Sequence, residues 1–296
     1  MNRVLNDKKA ILLFVLPALI LFVAIVVIPI MISVYYSLLK WDGFGAKTFI
    51  GIRNYIELFV NNQDGFVKSI GNSFIIAFFS VFLQIPLAMI LALILARGIK
   101  GEGFFRTVYF VPVLLSSVVI GQLWRQIYHP SLGLLNTILV NIGLENWTNT
   151  WLGDVNTALI AVLIPTIWQW IGYHMLLLYA GAKAVPVQLR EAAVIDGANE
   201  FQINTRIIIP LMRPVIRICV IMAVIGSMKA FDLIFVLTGG GPVHATDVPS
   251  TLLINTIFAK FRYGYGSSMA IFIVVECLLV TIVIQRLMKS KTSITY

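Results

Sequence analysis

The chain has 296 residues, of which 59% are hydrophobic and only 12% are charged, and its mean hydropathy is +0.92. Because a soluble domain usually carries about 25% charged residues, this composition excludes an ordinary soluble globular protein and indicates a multi-span membrane protein. The formal net charge of +9 fits the Lys and Arg that accumulate in cytoplasmic loops. We therefore expect membrane lipid, and no nucleic acid, as a partner.

Six segments are long enough to cross a bilayer as helices, since a span needs roughly 20 apolar residues. Four of them are uncharged runs, the fifth contains Lys229 and Asp232, and the sixth contains Glu276 and Arg286. The sequence thus predicts an all-α integral membrane protein with one transmembrane domain over residues 1–296. In chain order, the predicted spans are residues 11–37, 69–96, 107–128, 157–182, 214–237 and 267–287.

The distribution of basic residues predicts the orientation of these spans. With the N-terminus in the cytoplasm, the inside segments hold 14 Lys and Arg, against six in the outside segments. Because Lys and Arg accumulate on the cytoplasmic side, both termini are predicted to be cytoplasmic. Residues 183–213, between the fourth and fifth spans, then form a long cytoplasmic loop.

Several kinds of catalytic or cofactor site have no signature in the sequence. A Gly-x-x-x-x-Gly-Lys-Ser/Thr sequence is absent, so we expect this chain to bind no ATP and to be no enzyme. The histidines, His129, His174 and His244, are far apart, and no His-Glu-x-x-His occurs, which argues against a zinc site. Cys219 and Cys277 lie in apolar segments and suggest no disulfide. Energy for transport would have to come from an ion gradient or from a partner.

Local rules predict a helix–turn–helix in the cytoplasmic loop. Pro186 suits the first turn of a helix, and the residues from Gln188 to Ile195 are mostly good helix formers. Gly197 supplies a stop, and Asn199 can cap a second short helix with Gln202 reaching back to it. Leu189, Ala192 and Ala193 are expected to form an apolar patch that is small enough for close docking.

The same loop resembles the coupling loop of permease subunits of bacterial ATP-binding-cassette importers. That family has Glu-Ala-Ala, three residues, Gly, nine residues, Ile, one residue and Leu-Pro; here Ile209 stands in place of the Leu. The resemblance implies that this loop sits in a cleft of a separate cytoplasmic ATPase dimer, which uses ATP and Mg. The residues that it assigns to this coupling are Glu191, Ala192, Ala193, Asp196, Gly197, Ile207 and Pro210.

Two further segments resemble the sugar-type subgroup, which includes maltose, oligosaccharide and glycerol-phosphate permeases. They are residues 235–242 with Ala245 and Thr246, and residues 261–270; within the first, Gly239 to Pro242 also reads as a tight turn. The resemblance implies a type I importer fold in the bacterial plasma membrane, working by alternating access. It also implies a second homologous permease subunit, an extracytoplasmic substrate-binding protein and a carbohydrate substrate, whose identity the sequence does not specify.

The fourth and fifth spans carry candidate pathway residues. In the fourth, a polar and aromatic face repeats at helical spacing, and such a face suits a wet pathway better than lipid contact. The alternative is that Gln169 forms a hydrogen bond to a neighbouring helix. In the fifth, small residues form a face that could line the pathway equally well or simply pack against another helix. The resemblance assigns the sugar site to these two spans. The candidates are Thr166, Gln169, Trp170 and Tyr173, followed by Gly226, Ser227 and Ala230.

The charged residues inside the spans leave alternatives open. Lys229 and Asp232 are three positions apart and could form an ion pair. This favours a structural role in which the two charges neutralise each other. Glu276 could be an interhelical hydrogen-bond partner or a coupling carboxylate. The rival functions are an ion-coupled secondary transporter, which should show repeated halves that we do not find, a channel or scaffold, and an intramembrane hydrolase. None of these requires an ATPase-docking loop.

Overall fold

The computed structural model describes residues 8–62 and 64–288. The chain divides into two compact units. The first comprises the chain up to Asp64 together with Leu253–Val275, and the second comprises Gly65–Leu252 and the chain from Glu276 onward. The single transmembrane domain expected over residues 1–296 stays a prediction.

The described residues are almost entirely helical, and several of the long helices contain a short π-helical segment. The N-terminal elements are α1 (Lys8–Phe22, π-helical Val23–Val27, Ile28–Ser37), β1 (Leu39–Lys40), β2 (Thr48–Phe49), α2 (Arg53–Ile56, π-helical Glu57–Asn61), α3 (Phe66–Phe79, π-helical Ser80–Gln84, Ile85–Ala96), α4 (Glu102–Leu114), α5 (Ser117–Ile127) and α6 (Leu134–Asn141). The C-terminal elements are α7 (Ala158–Lys183), α8 (Val187–Ile195), α9 (Glu200–Ile203, π-helical Asn204–Ile208, Ile209–Leu211), α10 (Arg213–Met228), α11 (Asp232–Leu237), α12 (Pro249–Ile254, π-helical Asn255–Ala259) and α13 (Tyr263–Leu287).

Within the described residues, five helical stretches are long and apolar enough to cross a membrane, and a bent pair makes a sixth. The all-α membrane fold predicted from the sequence is therefore confirmed. The five stretches are Leu12–Ser37, Phe66–Ala96, Ala158–Lys183, Arg213–Leu237 and Tyr263–Leu287.

The third predicted span is not one continuous helix, because α4 and α5 meet at an angle of 95°. Leu115 between them is extended, and Ser116 caps α5 by accepting a hydrogen bond from the backbone N–H of Val119 at 3.3 Å. Ser in this position satisfies a donor that the first turn of a helix leaves free. The cap therefore lets a new helix start in a different direction.

In the first unit, the chain that follows the long apolar helix α1 is held by a few backbone and side-chain hydrogen bonds. Asn54 of α2 donates its side-chain amide to the carbonyl oxygens of Ser37 and Leu39, at 2.7 and 2.9 Å. Leu39 also pairs with Phe49 across the short antiparallel ladder of β1 and β2. These contacts fix the chain just after α1, where the helix itself leaves carbonyl groups without partners.

In the second unit, α7 packs closely on both α3 and α4. Gly172 makes the approach to α4 possible, since a Cβ at this position would overlap the backbone carbonyl of Tyr109. On the side of α3, Met175 and Leu178 are fully buried in a cluster that also holds Ala88 and Ala92. Small residues of this kind let helix backbones come close together in a membrane.

The chain after α11 forms the tight turn expected for Gly239 to Pro242. Gly239 and Gly240 both have positive φ, of 61° and 94°, which favours glycine. Asn72 of α3 donates to the carbonyl oxygens of Ala245 and Asp247, at 3.0 and 2.8 Å, and so holds the end of this turn against the second unit.

Candidate coupling loop and membrane cavity

The cytoplasmic loop has the local structure that its sequence predicts. Helix α8 follows Pro186 and ends at Ile195, and Gly197 has a φ of 80°. Asn199 and Gln202 form a reciprocal capping box, with both hydrogen bonds at 2.9 Å. These side chains accept hydrogen bonds from backbone N–H groups at the start of α9 that would otherwise lack partners, and this stabilises the turn. The helix–turn–helix prediction is therefore confirmed.

Two carboxylates of this loop are free to meet a partner. The side chains of Glu191 and Asp196 are exposed, and neither forms an ion pair or a hydrogen bond within residues 8–62 and 64–288. Gly197 is exposed too, and a Cβ at this position would meet no atom within 4 Å. The turn of the loop therefore presents negative charge on an uncrowded surface.

The sequence predicts an apolar docking patch of Leu189, Ala192 and Ala193, and this prediction is wrong for Ala193. Ala193 is only 7% exposed and packs into the core, whereas Leu189 and Ala192 are exposed. Residues that are four apart on a helix share a face but neighbours do not, so Ala192 and Ala193 point in different directions. The exposed apolar surface of α8 continues instead to Val194 and Ile195, the latter 85% exposed.

The rest of the loop packs against the spans through buried apolar side chains. Ala193, Ile203 and Ile208 belong to the same buried cluster as Met175 and Leu178 of α7. Two further residues of the family pattern lie in this attached part of the loop: Ile207 packs against the cluster, and Pro210 is partly buried in the last helical segment of α9.

An ion cluster that the sequence analysis missed ties the loop together. Glu200 accepts a hydrogen bond from Arg190 at 2.6 Å and pairs with Arg97, which follows α3, at 3.4 Å. The opposite charges of Arg190 and Glu200 on either side of the predicted turn could have suggested their pairing. No local pattern pointed to Arg97, because its distance from Glu200 depends on how α3 packs.

A cavity of about 610 Å³ lies in the second unit, between α3, α7, α10 and α11. All seven candidate pathway residues line it, so the structure brings together the two faces that the sequence singled out. They are Thr166, Gln169, Trp170 and Tyr173 of α7, and Gly226, Ser227 and Ala230 on and just after α10.

The hydroxyl groups of Thr166 and Ser227 on the cavity wall have hydrogen-bond partners, whereas the Gln169 amide has none among the described residues. Thr166 donates to the Val162 carbonyl at 2.8 Å, and Ser227 donates to the Ala223 carbonyl at 2.9 Å. Gln169 is 4% exposed, yet its amide makes no hydrogen bond within the part of the chain that the structure describes. A buried polar group without a protein partner is costly unless water or a ligand satisfies it.

Two more polar residues of this cavity were missed by the sequence analysis. Gln84 of α3 is 2% exposed, lines the cavity, and has no hydrogen bond within the described residues. His174 also lines it, and its Nδ1 is buried without a partner. Gln84 lies in the middle of the second predicted span, and this position could have marked it, because polar groups in spans usually face the protein interior.

The fifth span is broken where it reaches the cavity. Helix α10 ends at Met228, Phe231 has φ −147° and ψ −65°, and α11 begins at Asp232. The four residues from Lys229 to Asp232 all line the cavity. Non-helical backbone at membrane depth is tolerated where it lines a water-filled cavity or is buried in protein, so this break is in keeping with a wet cavity.

The break also changes the interpretation of the charged pair. The expected ion pair between Lys229 and Asp232 is not present: neither side chain forms an ion pair or a hydrogen bond within residues 8–62 and 64–288. A helix would place residues three apart on the same face, and here the helix is interrupted between the two residues. Mutual neutralisation by a direct contact is therefore wrong for this structure.

The remaining polar and reactive groups in the spans lie outside the cavity lining. Glu276 of α13 is 6% exposed, and both its carboxylate oxygens are buried without a partner among the described residues. Cys219 and Cys277 are free thiols. No group of three or more potential ligands in the described residues could hold a metal ion.

Comparisons with known proteins identify the family. Residues 8–293 match the family described as the binding-protein-dependent transport system inner membrane component. The chain is 37% identical over 289 residues to the probable ABC transporter permease protein YurN of Bacillus subtilis, covering 96% of this chain and 98% of that protein. It is 35% identical over 279 residues to the trehalose/maltose transport system permease protein MalF of Thermococcus litoralis, covering 94% and 93%.

The fold agrees with this assignment. The structure matches a chain from a bacterial ABC transporter involved in the import of the acidic polysaccharide alginate, with a TM-score of 0.82 and 23% identity, over 98% of this chain and all of that one. The chain therefore belongs to the binding-protein-dependent family of ABC transporter components, as a multi-pass permease subunit of the inner membrane that has no ATPase domain of its own.

Proposed function

We propose that this permease imports a carbohydrate, which it binds by hydrogen bonds and aromatic contacts in the cavity of the second unit. The observation that carries the proposal is the pair of glutamines Gln84 and Gln169, which line the cavity and whose side-chain amides have no hydrogen-bond partner among the described residues. Amides both donate and accept hydrogen bonds, as sugar hydroxyls do.

The rest of the lining fits the same substrate class. The rings of Trp170 and Tyr173 stand 6.0 Å apart and almost perpendicular, at 86°, and they supply apolar faces beside the amides. A volume of about 610 Å³ falls within the usual range for small-molecule sites, about 300–1,000 Å³. A sugar combines apolar ring faces with many hydroxyls, so it complements both parts of this lining.

The names of related proteins support a carbohydrate as the substrate, but different relatives are named for different sugars. Relatives are named for trehalose and maltose in Thermococcus litoralis, and for diacetylchitobiose in Streptomyces coelicolor. The chain covers 93% of the first protein and 74% of the second. These names favour an oligosaccharide as substrate here, and they leave its linkage to experiment.

We further propose that the loop from Glu191 to Pro210 docks into a cytoplasmic ATPase dimer. Support comes from the exposed, unpartnered carboxylates of Glu191 and Asp196 at one end of the loop and from the buried attachment of Ile203 and Ile208 at the other. An exposed end that meets the ATPase and a fixed end that moves with the spans are what a mechanical coupling requires.

Transport then proceeds by alternating access, with ATP binding in the ATPase moving the loop and the spans together. The family works with a binding protein, and we propose that an extracytoplasmic binding protein delivers the sugar and that a second homologous permease chain completes the pathway. Membership of this family leaves the ion-coupled secondary transporter without support.

The test is sugar uptake into proteoliposomes that contain the complete transporter, purified through a tag on this chain, with ATP inside and binding protein outside. The panel is maltose, trehalose and diacetylchitobiose. Gln169→Ala and Gln84→Ala should each lower uptake of the accepted sugar about threefold to tenfold, the loss expected for one hydrogen bond of about 0.5–1.5 kcal/mol.

Gln126→Ala is the matched control, because Gln126 is exposed and does not line the cavity. It should leave uptake unchanged. If no carbohydrate in the panel enters, or if all three glutamine variants behave alike, the carbohydrate proposal is contradicted.

A further inference from the structure

Among the described residues that line the cavity, two carry full charges that the proposed function does not use. Lys229 and Asp232 both line it and both are exposed. Neither side chain has an ion-pair or hydrogen-bond partner in the described part of the chain. One cation and one anion therefore face the same space as separate groups.

This arrangement needs a physical reason. Unpaired charges within a span are costly, and they persist where water or a ligand solvates them. A pair that served only to neutralise itself would lie in direct contact, and no ion pair joins Lys229 and Asp232 on the two sides of the break between α10 and α11. Both groups thus keep their full hydrogen-bonding capacity for a molecule in the cavity.

We infer that Lys229 and Asp232 are two sugar-binding groups that together select a carbohydrate with no net charge; this inference rests on the proposed function. The Asp232 carboxylate can accept hydrogen bonds from two neighbouring hydroxyls, and the Lys229 ammonium can donate to others. A uronate that pairs with Lys229 brings its own carboxylate close to Asp232. A neutral sugar gains both sets of hydrogen bonds without that repulsion.

The arrangement of the two charges can be tested without any sugar. In the complete transporter with Cys219→Ala and Cys277→Ala, the variants Lys229→Cys, Asp232→Cys and Gly226→Cys are labelled with cationic and anionic methanethiosulfonates. Gly226 lines the same cavity, and a Cβ there meets no atom within 4 Å. It reports water access while both native charges are present.

Each cysteine should prefer the reagent that is attracted to the charge left beside it. Lys229→Cys should shift the ratio of cationic to anionic labelling about tenfold upward relative to Gly226→Cys, and Asp232→Cys about tenfold downward, as expected for unit charges a few ångströms apart in a wet site. Equal ratios at all three positions, or labelling at position 226 alone, would overturn the inference.

Selection for neutral sugars is tested by protection of Gly226→Cys from uncharged methyl methanethiosulfonate. Glucose should slow the labelling and glucuronate should not, and adding Asp232→Asn should make glucuronate protective as well. Glu145→Gln removes the same charge from an exposed residue outside the cavity, and it should change nothing.

The two proposals fail in different ways in this experiment. If glucuronate protects as well as glucose before Asp232 is changed, or still gives no protection afterwards, charge selection is overturned. If neither sugar protects any variant and maltose, trehalose and diacetylchitobiose do not protect either, the carbohydrate cavity itself is wrong, and the labelling ratios still show whether the two charges face water separately.

Discussion

Gly197 is the residue on which the turn of the proposed coupling loop depends most directly. Its φ of 80° lies in the left-handed region, and open space surrounds the position where a Cβ would stand. A substitution there is therefore opposed by backbone conformation alone, which costs about 1–2 kcal/mol for an ordinary residue. Asn tolerates this conformation better than other residues with a side chain.

We therefore predict that Gly197→Val uncouples transport while membrane insertion is retained, and that Gly197→Asn keeps most of the coupling. The measurement is the stimulation of ATP hydrolysis by sugar-loaded binding protein in the purified complex, with the yield of this chain in the membrane as a check on insertion. Normal stimulation in Gly197→Val would refute the assignment of this turn to coupling.

Individual side chains were predictable where a periodic pattern marked them. The face containing Gln169 and Tyr173 followed from helical spacing, and the cavity contains it as expected. His174 lies four residues after Trp170 and lines the same cavity, so the spacing rule could have added it to this face.

In the proposed coupling loop, one face of α8 packs on the core and the other face is exposed. Ala193 is buried in the cluster that holds α7, whereas Ala192 beside it is exposed. In the family pattern both are simply alanines, so the sequence alone does not distinguish an inward from an outward role. Burial in the structure makes that distinction and gives it a test.

We predict that Ala193→Leu destabilises the loop by about 1–3 kcal/mol, the usual cost of overpacking a filled core, and that Ala192→Leu leaves stability unchanged. Limited proteolysis within residues 187–208 of the purified transporter measures the effect. Faster cleavage is expected for Ala193→Leu only, and equal cleavage rates in the two variants would show that α8 does not lie on the core as described.

Breaks in the long helices were only partly predictable. The bend between α4 and α5 has local signals, Pro112 in the last turn of α4 and the capping Ser116. The interruption after Met228 contains neither proline nor glycine. Propensity rules therefore give no local signal for its position.

The second unit contains both proposed sites, and one packed cluster reaches from one to the other. Ala193 of the loop and Ala223 of α10 belong to the same buried cluster, and Ala223 also lines the cavity. Protein interiors are close-packed and transmit displacement rather than absorb it. We therefore expect movement of the loop to change the shape of the cavity, which is the coupling that an ATP-driven importer needs.

One measurement tests this account most directly. ATP hydrolysis is followed in nanodiscs that hold the complex purified through a tag on this chain, with and without sugar-loaded binding protein. We predict that an ATPase copurifies, that loaded binding protein stimulates it, and that the double variant Glu191→Ala with Gly197→Val abolishes the stimulation while the complex stays assembled. If the intact complex contains no ATPase, or if the double variant is stimulated normally, the coupling between loop and cavity is contradicted.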